Sequence, residues 1–146
     1  MGAKLRLMQM SCSISDNLGG PSRVVKELHE QLIKYFEAEL AVIGLANDHT
    51  DSIVCPSLFN NRYGVPKGII RNSITGKLKD SDIVIIHGFY TFVTLYSLIY
   101  GSRNARFFLM PHGSLEEYQW KNNMILKYFF RKIFLILVRN KNFAFV

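Results

Sequence analysis

Apolar positions fall into short continuous runs separated by amphipathic stretches, and that alternation is the strongest signal in the chain. Residues 4–10 (Lys-Leu-Arg-Leu-Met-Gln-Met) are short, apolar-rich and bounded by polar residues 11–17. They read as a buried strand. Gly19-Gly20-Pro21 then opens a helix, since proline suits a first helical position where its missing N–H has no partner to lose. Val25, Leu28, Leu32, Ile33 and Phe36 share one helical face, which carries the helix to about residue 37. Residues 40–45 read as a second strand. Residues 46–80 are the least regular stretch, with Pro56, Gly64, Pro66, Gly68 and Gly76 among polar residues. A short helix is expected over 69–78.

Regularity returns at Asp82-Ile83-Val84-Ile85-Ile86, a strand apolar on both faces. Such strands belong to parallel sheets covered by helices on both sides. A helix over 92–100, a strand over 106–110, a long helix from Glu116 to about Arg139 and a last strand over 143–146 complete the series. Strands alternating with helices predict an α/β fold with a Rossmann-like, doubly wound parallel sheet.

The chain has 146 residues, 49% of them hydrophobic, which suits one globular domain with a real core. Cys12 and Cys55 are too few for a disulfide scaffold and lack zinc-ligand spacing, so reduced thiols and no metal are expected. The net charge of +7 is uneven. Residues 1–120 carry 12 basic and 11 acidic side chains, whereas 121–146 carry Lys121, Lys127, Arg131, Lys132, Arg139 and Lys141 and no acid. Such a segment suits anionic lipid, an acidic substrate or nucleic acid. Lys127, Arg131 and Lys132 interrupt the apolar run 124–138, which is too short to span a bilayer. No signal peptide is expected either, because Gln9, Ser11 and Ser13 break the first apolar run. A cytoplasmic location follows, with contact at the inner membrane face left open.

In open α/β sheets ligands bind beyond the carboxyl ends of the strands. Three segments fall there: Ser11 to Pro21, His87-Gly88, and Pro111-His112-Gly113-Ser114. A diglycine helix start and two His-Gly pairs thus converge on one edge. Gly19 and Gly20 would let a ligand approach the backbone, while the helix start offers free N–H groups to a phosphate or sugar hydroxyl. A tight turn needing positive φ explains the same glycines. The segment is neither GxGxxG nor a P-loop, which disfavours nicotinamide and ATP chemistry. His112 sits at a short corner where a neutral imidazole can exchange a hydrogen bond with a sugar hydroxyl. His87 has the same strand-end position. His29 lies in an apolar stripe and reads as a satisfied core residue, and His49 as a surface one.

Other constellations fail. Glu116 and Glu117 are adjacent, point apart on a helix, and make a poor acid/base pair. A helix N-terminal charge is their simpler role. Asp80 and Asp82 precede their strand and fall at the wrong edge. No GxSxG elbow supports Ser114 as a nucleophile. Along the final helix, Lys121, Lys127, Arg131, Lys132 and Arg139 cover one broad side and Ile125, Phe129, Ile133, Ile136 and Leu137 the other. Tyr128, Leu135 and Val138 interrupt the basic side. That mixture suits either an anionic bilayer surface or an ordinary helix with a solvated basic face.

Three segments resemble family 4 glycosyltransferases of the GT-B fold: Gln9-Met10-Ser11 leading to Gly19-Gly20-Pro21-Ser22-Arg23-Val24-Val25, Asp82-Ile83-Val84-Ile85-Ile86-His87-Gly88, and Met110-Pro111-His112-Gly113-Ser114-Leu115-Glu116. They occur in the family's order and cover nearly the whole chain. The resemblance implies transfer of a sugar, with retention, from a nucleotide-sugar donor to a lipid-linked or polysaccharide acceptor, with neither metal nor other cofactor. It implies that residues 1–146 form the N-terminal, acceptor-side domain. Gly19, Gly20, His87, Gly88 and Gly113 would line the substrate cleft, with His112 at the donor sugar. It also implies membrane attachment through Lys121, Lys127, Arg131, Lys132 and Arg139.

The family's second domain carries a Glu-x7-Glu motif and most of the donor site, and the chain stops before it. A lone domain without appreciable transferase activity is therefore expected, one that needs a complementing domain or subunit. The alternative is a non-catalytic Rossmann-like module or remnant docking on a membrane or a partner protein. Nucleic-acid binding through the basic helix is a weaker rival and is not adopted.

Overall fold

A computed structural model of the chain describes residues 4–15, 20–45, 52–57, 64–112 and 124–146. The described elements are β1 (Arg6–Ser13), α1 (Gly20–Leu32), β2 (Glu37–Leu45), β3 (Ser52–Cys55), α2 (Ile70–Asp80), β4 (Ile83–His87), α3 (Phe92–Tyr100), β5 (Arg106–Met110), α4 (Met124–Val138) and β6 (Asn142–Phe145). The strands form one six-stranded sheet in the order β3-β2-β1-β4-β5-β6. Every neighbouring pair is parallel. This is the Rossmann-like, doubly wound α/β fold that the alternating pattern predicts.

Why the sheet takes this form is written in its central strands. Successive strand side chains point to opposite faces. Met8 and Met10 of β1, Val84 and Ile86 of β4, and Phe107 and Leu109 of β5 enter one core. Ile74 and Leu78 of α2, Val93 and Leu98 of α3, and Phe134 of α4 cover them. The opposite face has a smaller cluster of Ile14, Val25, Leu40 and Val42 beneath α1. Gln9 and His87 fall on that second face, next to α1. The two cores therefore differ: the first is large and mostly apolar, and the second is small and encloses the polar side chains Gln9, His29 and His87.

Three expectations need correction. First, α1 ends at Leu32, and Glu37 already pairs with Arg6 in the sheet. Ile33 is exposed, and the stripe that α1 buries is Ser22, Val25 and His29. Second, the irregular stretch contains β3, paired with β2 from Leu40↔Ser52 to Ile43↔Cys55. Only residues 46–51 separate the two strands, fewer than a helical crossover needs, so spacing did not announce a parallel neighbour. Third, the apolar side expected of the last helix is not the side that packs. Ile125, Phe129, Ile133 and Ile136 are exposed, while Phe134 is buried and Phe130, Leu137 and Val138 pack beside it. Phe134 meets Phe89, Phe143 and Phe145, and this aromatic cluster decides which way α4 faces.

Candidate functional site

The strand order reverses direction between β1 and β4, and such a switch point opens a crevice at the carboxyl ends of the strands. β4 ends in His87, and Gly88 follows at φ 89. The Gly88 N–H donates to the Met110 carbonyl at 2.8 Å, which ties the end of β4 to the end of β5. A β-carbon at Gly88 would lie 3.3 Å from the Thr91 methyl as well as being strained by φ. Glycine there is thus explained by the backbone itself. His112 stands two residues beyond β5 at φ 48, the one non-glycine residue at positive φ among the described residues. Bulky residues seldom hold that conformation, and where they do a functional constraint is a common reason.

These two turns bring the imidazoles together. His87 Nδ1 and His112 Nε2 are 2.8 Å apart. The ring centroids lie 5.1 Å apart with 15° between planes. A nitrogen-to-nitrogen contact that short at that centroid spacing puts the rings edge to edge in nearly one plane, not face over face. In-plane contact is the geometry in which an N–H meets a ring lone pair. On its other side, His87 Nε2 is 2.8 Å from Gln9 Nε2. Gln9 Nε2 also donates to the Val25 carbonyl at 3.1 Å, and Gln9 Oε1 is 3.1 Å from His29 Nδ1. A chain of polar side chains thus runs from α1 through the centre of β1 and the end of β4 to the corner after β5.

Burial sets the charge state. His87 is 2% exposed. Desolvation, with a smaller contribution from neighbouring His112, holds its pKa down at about 3. Burial also lowers His112. Both rings are neutral at physiological pH, so the pair can offer hydrogen bonds but no fixed charge.

The remaining predicted residues are distributed as follows. Gly20 begins α1, on the same edge as the histidines because α1 follows the carboxyl end of β1. It is not at positive φ, and among the described residues a β-carbon there would meet nothing within 4 Å. A tight turn therefore does not explain Gly20. Gly19, Gly113, Ser114, Glu116, Glu117 and Lys121 lie outside the described residues. Asp82 is at the opposite edge, where its carboxylate accepts from the Arg6 N–H at 2.8 Å. His29 is buried and hydrogen-bonded, as expected, but it is also one end of the polar chain.

The basic residues of α4 do not form one solvated face. Arg131 Nε donates to the Tyr90 hydroxyl at 2.9 Å, and Lys127 lies 5.0 Å over the Tyr90 ring. Both are half-buried beside the packed side. Lys141 is drawn inward to the Gly101 carbonyl at 2.9 Å and over the Phe107 ring. Lys132 and Arg139 are exposed. The outer side of α4 is instead mostly apolar, with Lys132 set among Ile125, Phe129 and Ile136.

Other chemistry is poorly served. Cys12 and Cys55 are free thiols whose pKa values burial raises, so neither is a ready thiolate. Among the described residues no cluster of three or more His, Cys, Asp or Glu could hold a metal ion. Two cavities of about 170 and 390 Å³ lie at the amino ends of the strands, lined by residues such as Arg6, Glu39, Lys77 and Asp80, and Arg6, Asp82, Asn104 and Arg106. They contain none of the histidines. Converging polar side chains and strained backbone, not cavity size, mark the opposite edge.

Gln9 is the residue that sequence reasoning missed as a site component. A fully buried amide between Met8 and Met10 must find partners or cost several kcal/mol. That signal was present in the sequence, as a polar residue in the middle of an apolar strand.

No protein-family model matches the sequence, and none of the curated proteins matches it. Among solved structures, the crystal structure of homoserine dehydrogenase from S. aureus is similar with a TM-score of 0.34 and 10% identity, over 99% of this chain and 32% of that one. The chain spans about a third of that protein's length, and a likeness so distant carries no argument. The fold assignment rests on the strand order. No helix among the described residues is long and apolar enough to cross a membrane.

Proposed function

We propose that this domain is the acceptor-side half of a retaining, GT-B-type sugar transferase, related to family 4, that moves a sugar from a nucleotide-sugar donor to a lipid-linked or polysaccharide acceptor. The observation that carries this reading is the in-plane His87–His112 pair at the carboxyl edge beside the switch point. A neutral histidine at a strained corner is suited to hydroxyl oxygens, which sugars supply in number. Gly20, exposed at the start of α1 and unobstructed by any described residue, leaves room for a ligand to reach backbone N–H groups. His112 would orient the donor sugar and stabilise charge as the anomeric bond breaks. No general base is assigned to the chain.

The test is binding. Titration with UDP-glucose, UDP-galactose, GDP-mannose and polyprenyl-phosphate sugars is expected to shift the ring resonances of His112 and the amide of Gly20. His112→Ala should abolish the response of the Gly20 amide while leaving the fold intact. Absence of any response across the panel, in the chain alone and joined to a nucleotide-sugar-binding second lobe, overturns the reading.

The outer face of α4 favours a second reading, compatible with the first. Met124, Ile125, Leu126, Phe129, Leu135 and Ile136 are each more than half exposed, and exposed Lys132 lies among them, with Arg139 just beyond the end of the helix. An exposed apolar face with cations set among its side chains suits the interface of an anionic bilayer. Docking there would keep the domain beside a lipid-linked acceptor.

A further inference from the structure

Three partners fix the orientation of the Gln9 amide. The Val25 carbonyl can only accept a hydrogen bond, so the group 3.1 Å from it is the amide nitrogen. That same nitrogen faces His87 Nε2 at 2.8 Å, and an amide NH₂ can only donate. His87 Nε2 must therefore present its lone pair. A neutral imidazole with a bare Nε2 carries its proton on Nδ1. His87 Nδ1–H then points at His112 Nε2, 2.8 Å away, which must accept. The proton of neutral His112 is left on Nδ1. At the other end, Gln9 Oε1 is free to accept from His29 Nδ1–H, so every contact of the amide is consistent with one assignment.

We propose that Gln9 is a positioning residue: it selects the Nδ1–H tautomer of His87 and, through it, of His112, so that His112 meets its ligand as an Nδ1–H donor. Among the described residues no acceptor is bonded to that N–H. The opposite polarity, with His112 Nε2–H donating to His87, would place a proton on His87 Nε2 against the Gln9 NH₂, two donors face to face in a buried site. Protonating His87 meets the same obstacle, which agrees with the depressed pKa values of both rings. The ligand group selected is an acceptor oxygen, such as a sugar hydroxyl or a phosphate oxygen, and not a donor. This inference rests on the sugar-transferase reading only for what His112 touches. The relay itself is a property of the chain.

Nitrogen-15 labelling of the histidines and long-range proton–nitrogen correlation at pH 7 report each tautomer directly. His87 and His112 are both expected as Nδ1–H. An Nε2–H signal for either ring overturns the proposal, whatever binds. Gln9→Glu replaces the NH₂ donor with an acceptor, so both rings should switch to Nε2–H and affinity for a responding nucleotide sugar should fall about tenfold. Rings that keep the Nδ1–H form in that variant show that Gln9 does not set them. Gln9→Met, expected to give a mixture of tautomers, serves if the carboxylate variant does not fold. The two readings fail separately. Correct tautomers without any response to nucleotide sugars sink the transferase reading and keep the relay. A ligand response with the wrong tautomers does the reverse.

Discussion

Phe134 stands edge-on to Phe89, with ring centroids 4.9 Å apart and 79° between planes. Phe89 lies two residues past His87, so this contact joins α4 to the turn that carries the histidine pair. Aromatic pairs of this geometry stabilise beyond their buried area. Phe134→Ala should cost about 3–5 kcal/mol, as large-to-small changes in packed cores do. Ile136→Ser, two residues on but 72% exposed, should change stability by less than about 0.5 kcal/mol. Urea unfolding of the two variants checks the orientation of the helix. Equal losses would mean that α4 packs by a different face.

Protonation of the histidine pair should make the fold acid-sensitive. An unfolded His87 titrates near 6.5 and the folded one near 3. Between those values the unfolded chain takes up a proton that the native chain does not, so stability rises with pH across that window. It is whole above about 6.5 and is lost progressively as pH falls toward 3. By pH 4 the loss from His87 alone is roughly 3 kcal/mol. The depressed pKa of His112 acts in the same direction. Unfolding midpoints at several pH values should fall more steeply in the wild type than in His87→Asn. Parallel slopes would show that His87 is protonated without penalty.

Among the described residues some glycines are required by the fold, whereas Gly20 and Gly76 are not. Gly64 has φ +66, and a β-carbon there would strike the Val93 Cγ2 methyl and approach Cys12 Cβ to 3.3 Å. Gly64→Ala should cost about 2–4 kcal/mol from backbone strain and overpacking together. Gly20→Ala should be nearly neutral, because its methyl would meet none of the described residues. If a ligand approaches the start of α1, the same variant should nonetheless weaken that ligand's binding. Thermal unfolding and ligand titration of one sample separate the two effects. A Gly20→Ala protein that binds a responding sugar nucleotide as tightly as wild type would remove Gly20 from the site.

Much of this arrangement is legible before any coordinates. The run Ile83-Val84-Ile85-Ile86 announces a strand buried on both faces, and from it the edge position of His87 follows at once. The order of elements placed His112 at that edge for the same reason. Residue pattern could not say that a left-handed corner at His112 brings its ring into the plane of His87, since that depends on a backbone angle. Nor could it find β3, which is four residues long and held chiefly by its pairing with β2. The helix face was misread because α4 is apolar nearly all round. Where most positions are apolar, rotation alone does not choose the buried side. The tertiary aromatic cluster chooses it.

Vesicle binding gives a test in which the α4 residues take different parts. The exposed apolar group should carry the hydrophobic share, so Ile125→Ser, Phe129→Ser and Ile136→Ser together should remove most partitioning into phosphatidylserine-containing vesicles. Cations near an anionic surface contribute about 1 kcal/mol each. Lys132→Gln and Arg139→Gln, both at exposed positions, should each weaken binding about fivefold on that basis. Lys127 and Arg131 are engaged with Tyr90, so their replacement should affect stability more than vesicle affinity. Sedimentation with anionic and with neutral phosphatidylcholine vesicles reads all of these. Equal binding to both lipids, or insensitivity to the triple serine change, would show that this face does not dock on membranes.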